Sequence, residues 1–250
     1  MPTHEADAIV LRQYALSDAD RIVVFVTREF GKVRAVGQGV KKLKSRLASC
    51  LEPLNHVRLH FWTRQGAELC RIRGCENIHS YLGRNASLEQ FYAYNYFAEI
   101  VDEFVQENNP NIPLFRLLLA VLRTGETAGI RESLIRYFEL WALQLNGLLP
   151  NYDYCTACRK YVKDSGFYAS AHTGQAMCSH CAAKGEVRVR PSGAEVIRSI
   201  MKLSPEQFVS RPFADEAAAD TERLTRTLLY LHLEKYLKSY EPLRQIIRGS

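Results

Sequence analysis

Two cysteine pairs past the middle of the chain, Cys155-Thr156-Ala157-Cys158 and Cys178-Ser179-His180-Cys181, constrain the fold more than any other feature. Nineteen residues lie between them. That spacing suits a site in which each CxxC turn supplies two thiolates to one side of a tetrahedral Zn2+. With Cys155, Cys158, Cys178 and Cys181 all acting as ligands, no coordination position stays open for water or substrate. The metal is then structural, and its binding energy helps fold an insert too small to hold a core of its own. A thioredoxin-type redox pair would need a βαβ unit around its CxxC, and that context is missing. His172 and His180 are other possible ligands, but four cysteines need no help.

The remaining cysteines, Cys50, Cys70 and Cys75, are expected to be reduced. The first residues contain no apolar run behind a basic stretch, so no signal peptide is expected. No apolar stretch reaches the 18 or so residues that span a bilayer. The chain therefore reads as soluble and cytoplasmic, where thiols stay reduced and disulfide frameworks are rare. Cys70 alternates with strand positions and reads as a small buried hydrophobe.

Residues 1–80 carry the period of strands. Ala8-Ile9-Val10-Leu11 and the β-branched run Ile22–Val26 read as two of them, with a turn at Glu29–Lys32 leading into Val33–Val36. Val57, Leu59 and Phe61 alternate with Arg58, His60 and Trp62, and a last strand is expected around Leu69–Arg73. Five short strands with one long connection between Gly37 and Asn55 predict a small closed barrel. An OB-fold leads, with an SH3-like barrel almost as good a match.

At Ser87 the period turns helical. Ser87 and Gln90 make a capping box for a helix that runs to the breaker Asn109-Pro110. Further helices are expected at Leu114–Arg123 (closed by Thr124-Gly125), at about Ile130–Asn146, from a Ser192 cap to about Lys202, and from about Glu216 to Tyr240 (closed by Glu241-Pro242). The predicted class is α+β. An OB-fold domain occupies 1–80, a helical domain 81–150 and 191–250, and the zinc-binding insert 151–190.

Charge is where composition matters. The net charge is +6, and residues 1–80 hold 13 Lys/Arg against 8 Asp/Glu. A localised positive field attracts polyanions, nucleic acid first among them. Lys41, Lys42, Lys44 and Arg46 crowd a loop opened by Gly37 and Gly39, suited to lying along phosphates without reading sequence. Arg58, His60, Trp62 and Arg64 share one strand face, and Arg71 and Arg73 share one face of the next; cations interleaved with an aromatic suit a single strand. Arg34 completes the expected DNA-binding set, and Arg12 and Tyr14 extend it. The aromatic run Phe91–Phe97 reads as a helix core face. Neither a nucleotide-binding glycine loop nor a paired acid/base motif is present, and the zinc-deaminase proline is absent, so no case for catalysis arises.

These residues in this order resemble the RecO family of bacterial recombination mediators. Ala8-Ile9-Val10-Leu11-Arg12, Ser17–Val23, Thr27–Lys32, the loop from Gly39 to Arg46 and Leu51-Glu52-Pro53 carry the resemblance. So do Pro113–Leu118 and Gly147-Leu148-Leu149-Pro150, which leads into the first CxxC. The resemblance implies an OB-fold, a helical domain and a zinc insert, in a nucleoid-associated bacterial protein. It also implies a non-catalytic function: binding single- and double-stranded DNA, annealing complementary strands coated by single-stranded-DNA-binding protein (SSB), and helping RecR load RecA in the RecF pathway. The acidic SSB tail is expected on the helical domain, with Arg116, Arg123 and Arg131 as the cations on offer. Other readings are an RNA- or ribosome-associated zinc-ribbon and OB-fold protein, an adaptor for an acidic protein, and an enzyme with an unrecognised site.

Overall fold

Two patterns make strands in the first 80 residues: alternation of buried and more exposed positions, as over Gly31–Gly37 and residues 57–62, and a continuous buried run rich in β-branched residues, as over residues 23–27. The strands are β1 (Thr3–Ala15), β2 (Arg21–Thr27), β3 (Gly31–Gly37), β4 (Asn55–Trp62) and β5 (Cys70–Ser80). They close into a barrel in the order β1-β2-β3-β5-β4, with β4 returning to pair with β1. The β3–β5 pair is parallel and the others antiparallel. This five-stranded Greek-key barrel is an OB-fold, which sets the SH3-like alternative aside. Val10, Val23, Phe25, Ala35, Leu59 and Phe61 fill its interior. The computed structural model describes residues 3–40, 47–63 and 68–249.

Gly31 is needed at the β2–β3 turn. Its φ is +68°, and a Cβ there would sit 2.4 Å from the Asn109 carbonyl oxygen. A β-carbon has no room at that distance, and the left-handed backbone adds to the penalty for any other residue.

Strand lengths depart from the sequence reading. β5 runs seven residues past Arg73, because pairing with β4 holds a polar, mostly exposed stretch that has no hydrophobic alternation of its own. That extension sets Cys75 opposite Leu59 and beside Cys50, and the two cysteines form a disulfide with Cα atoms 6.1 Å apart. This corrects the expectation of reduced cysteines: barrel closure, which sequence spacing does not reveal, brings the pair together. Cys70 packs half-buried against the barrel core.

The helices are α1 (Leu88–Phe104), α2 (Ile112–Ala128) and α3 (Glu132–Leu145). The capping box at Ser87 is present, with Ser87 accepting from the Gln90 N–H and Gln90 reaching back to the Ser87 N–H. α2 continues through Thr124-Gly125, where the sequence places its end. The Thr124 hydroxyl donates to the Ala120 carbonyl, and burial of both residues favours continuing the helix. Strands β6 (Phe167–Ala169), β7 (Ala176–Met177) and β8 (Val187–Val189) form a small sheet in the order β7-β6-β8.

Four helices follow: α4 (Pro191–Ile200), α5 (Pro205–Val209), α6 (Asp215–Leu233) and α7 (Tyr240–Gly249). α4 starts at Pro191 with Arg190 as its cap, rather than at Ser192. The single helix expected over 216–240 ends at Glu234, whose φ is +54°. Pro242 then lies in the first turn of α7 instead of stopping a helix, since its missing N–H has no partner to lose there. The chain forms two compact units, residues 1–126 with 241–250, and residues 127–240. Among the described residues no helix is long and apolar enough to cross a membrane.

Candidate nucleic-acid face and metal centre

Strand register assembles the first site. Cα partners in neighbouring strands share a face of the sheet. Trp62 pairs with Arg71, Arg71 with Val36, Val36 with Ile22, and Ile22 with Tyr14. One row therefore crosses the outer surface of all five strands: Trp62, Arg71, Val36, Ile22, Tyr14. Four inter-strand steps make it about 19 Å long. An aromatic ring stands at each end, and a guanidinium covers each ring: Arg71 lies 5.6 Å from the Trp62 centroid and Arg12 lies 5.1 Å from that of Tyr14. The neighbouring row, Arg12–Val24–Arg34, places two cations around an apolar residue.

Beside these rows lies a groove of 460 Å³, lined by Arg12, Tyr14, Ile22, Val24, Lys32, Arg34, Asp102 and Glu107. Asp102 comes from α1 and is 2% exposed. It forms ion pairs with Arg12 and, at 3.0 Å, with Lys32, so a helix carboxylate fixes two barrel cations at the groove floor. Neither carboxylate oxygen has a well-aligned hydrogen bond. Arg34 lies 3.8 Å from Glu107, and both side chains are more than two-fifths exposed. An open pair of that kind contributes at most about 1 kcal/mol, so a phosphate can take Arg34 from it.

The sequence-expected residues divide accordingly. Arg34, Trp62 and Arg71 belong to this outer surface. Arg58 shares the β4 face with Trp62, but it pairs with Glu5 at 3.4 Å, while His60 lies 3.9 Å from Glu5 and 4.0 Å from Glu76. That end of the barrel is more neutral than the cations alone imply. Arg73 falls at the register shift opposite His60 and Phe61 and is exposed. Lys41, Lys42, Lys44, Arg46 and Arg64 lie outside the described residues. Asp102, Lys32 and Glu107 were missed in the sequence because only the fold brings α1 and the segment after it to β3. Of the cations considered for an acidic tail, Arg116 and Arg123 are exposed in the first unit. Arg131 belongs to the second, where it caps α3 and donates to the Val209 carbonyl at 3.1 Å.

The second site is the cysteine cluster. The sulfurs of Cys155, Cys158, Cys178 and Cys181 all lie within 4.8 Å of one another, and those of Cys158 and Cys178 are 3.6 Å apart. Zinc–sulfur bonds of about 2.3 Å in a tetrahedron require sulfur–sulfur edges of about 3.8 Å, so the four residues fit the ion. Each turn is tied by its own backbone: Arg159 N–H donates to Cys155 C=O at 2.9 Å, and Ala182 N–H to Cys178 C=O at 3.0 Å. Burial pushes the Cys155 thiol up, yet N–H groups of Cys158, Cys178 and Ala157 outweigh it and bring the pKa down to about 6. Cys178 is also lowered, with burial opposing and the N–H groups of Cys181 and His180 favouring the thiolate. Cys181 is pushed up to about 12, because the Cys158 and Cys178 sulfurs hold its proton. Crowded sulfurs must share negative charge, and a divalent cation relieves that by displacing their protons.

Comparison with known proteins identifies the family. The family model described as "Recombination protein O N terminal" matches residues 1–81, and "Recombination protein O C terminal" matches residues 85–241. A "DNA repair protein RecO" of Koribacter versatilis is 30% identical over 93% of this chain and 95% of its own length. Proteins of the same description from Pelotomaculum thermopropionicum (32% identity; 96% and 93%) and Syntrophus aciditrophicus (29%; 98% and 97%) are similar over comparable spans. With a matched model covering more than half of its length, the chain belongs to the RecO family of DNA repair proteins.

Proposed function

We propose that this protein is a non-catalytic mediator of recombinational repair: it binds single- and double-stranded DNA, anneals complementary strands including SSB-coated ones, and acts with RecR in loading RecA. The observation that carries the DNA reading is the row Tyr14–Ile22–Val36–Arg71–Trp62, with its ring-and-guanidinium pair at each end. Annealing needs no bond chemistry. Rings and apolar side chains hold unpaired bases loosely enough to find partners, while cations lower the repulsion between two backbones. Arg34 and Arg71 supply cations on this face, and Arg58 and Arg73 extend it. Lys41, Lys42, Lys44 and Arg46 add non-specific phosphate contacts. Zn2+ held by Cys155, Cys158, Cys178 and Cys181 has a structural role: with four protein thiolates as ligands, it brings together the two turns that frame the small sheet.

The salt dependence of binding tests the loop assignment. Each phosphate contact to a single strand contributes about −0.7 to the slope of log affinity against log salt. Changing Lys41, Lys42, Lys44 and Arg46 to Glu should flatten the slope by up to about 3, whatever the sequence bound. An unchanged slope would remove the loop from the mechanism. Equal or tighter binding of RNA of the same sequence would favour the RNA-associated alternative.

A further inference from the structure

The barrel closes unevenly. β1 runs against β2 and β4, β2 against β3, and β4 against β5 over long stretches. Across the β3–β5 seam, Ala35–Cys70 and Val36–Arg71 are the sole pairs among the described residues. Past Arg71, the edge of β5 away from β4 has no strand beside it among the described residues. The β4–β5 register also shifts at Arg73, next to the short paired stretch. Few backbone bonds therefore hold β5 to β3, and a segment so held opens at low cost. The outer row crosses this seam between Arg71 and Val36, with Trp62 on one side and Tyr14 on the other.

The Cys50–Cys75 disulfide clamps β5 at this seam. Cys75 lies on β5, and Cys50 lies in the segment that leads into β4. That segment is fixed without the bond. Leu51 and Leu54 are fully buried, and the Leu54 N–H donates to the Val10 carbonyl at 2.8 Å. The Asn55 side-chain amide donates to the carbonyls of Ser49 at 2.7 Å and Cys50 at 3.2 Å. The segment also reaches the seam: a Cβ on Gly37, the last residue of β3, would lie 3.2 Å from Leu51 Cδ1 and 3.6 Å from Ile72 Cδ1. The disulfide thus ties β5 to a fixed point beside the end of β3. Access to it is one-sided, since Cys50 is 4% exposed while Cys75 is partly exposed. Cys70, on the same strand, is a free thiol pushed up by burial and then by the Glu107 carboxylate, which makes it a poor nucleophile.

We propose that Cys50 and Cys75 form a reversible redox latch on the β3–β5 seam, closed by a small-molecule disulfide such as oxidised glutathione and opened by the matching thiol. In closing, one protein thiolate attacks the small disulfide and expels the first small thiolate. The other protein thiolate then attacks the mixed disulfide and expels the second. The cysteine pair loses two electrons, the small disulfide gains them, and the two protein protons end on the two small thiols. Opening runs in reverse: an external thiolate attacks the exposed Cys75 sulfur, and Cys50 leaves. Where thiols are kept reduced, disulfides that do form are commonly redox-sensing. The consequence for DNA rests on the barrel-row reading above. With the latch closed, both ends of the row stay in one register, and a strand held at one end meets the other at high effective concentration. With it open, the two ends hold the strand more independently.

The test places the full-length, metal-loaded chain in reduced and in oxidised glutathione buffers, with metal content measured per chain so that damage to the four-cysteine site is seen. Alkylation and mass spectrometry should find Cys50 and Cys75 free in the first buffer and joined in the second, reversibly. Backbone amide exchange over residues 70–75 should be at least about tenfold faster with the bond open. A fluorescent thymidine oligonucleotide of roughly 10 nucleotides should then bind about threefold or more weakly. Cys50→Ser with Cys75→Ser should give the open values in both buffers, and Cys70→Ser should switch as wild type does. Cysteines that stay free in the oxidised buffer, or exchange that is the same in both states, overturn the proposal. So does oligonucleotide binding of equal strength in the two states. Exchange that follows the bond in a chain that binds no oligonucleotide in either buffer keeps the latch and defeats the DNA reading, so the two fail separately.

Discussion

Asp102 shows how one residue can organise a surface. It is buried on α1 and pairs with Arg12 and Lys32, so the cation covering Tyr14 is held by a carboxylate from another element. Removing one member of a buried charge cluster leaves the others incompletely compensated, at a cost that falls as the partners approach solvent. Lys32 is 19% and Arg12 47% exposed at the side chain. Asp102→Asn should therefore cost about 1–3 kcal/mol of stability, measured by urea unfolding, below the figure for a fully buried pair. It should also leave Arg12 less ordered over Tyr14. Nothing near Asp102 in sequence announces this role. The four cysteines were legible because metal-ligand spacing is local. Cys50 and Cys75 were not, since barrel closure decides whether they meet.

At the level of elements, legibility followed the range of the interaction that sets each boundary. The α1 start could be read because its capping box spans three residues. The α2 end could not, because burial of Thr124 and Gly125 overrides the usual cost of glycine in a helix. β5 was read short because pairing with β4, not its own apolar pattern, holds Gly74–Ser80. The insert depends on its cysteines most of all, and pH reports on them. The folded site favours the Cys155 thiolate, with a pKa of about 6 against an ordinary thiol near 9. A depressed folded-state pKa contributes stability that is present above the ordinary value and lost as pH falls through the lowered one. Protons compete with the metal for all four thiolates, so metal should stay bound at neutral pH and be released on acidification, read by a colorimetric zinc indicator. Release already complete at neutral pH would contradict the four-thiolate assignment.

Taken whole, the molecule has a barrel with a cation-and-ring surface and a second unit that carries the cysteine cluster, and each part is expressed in the sequence by a different signal. Charge asymmetry pointed to the barrel and thiol spacing to the insert. The register row could not be read, because which residues share a row is fixed by pairing between strands distant in sequence, as Val36 and Arg71 pair across 35 residues. The measurement that tests the central claim most directly is the annealing rate of two complementary, SSB-coated oligonucleotides, compared between wild type and Tyr14→Ala with Trp62→Ala. Base–aromatic stacking is worth about 1–3 kcal/mol per base, so the variant should anneal at least about tenfold more slowly with its metal content unchanged. Annealing at the wild-type rate by that variant would contradict the assignment of the barrel row as the surface on which strands are held.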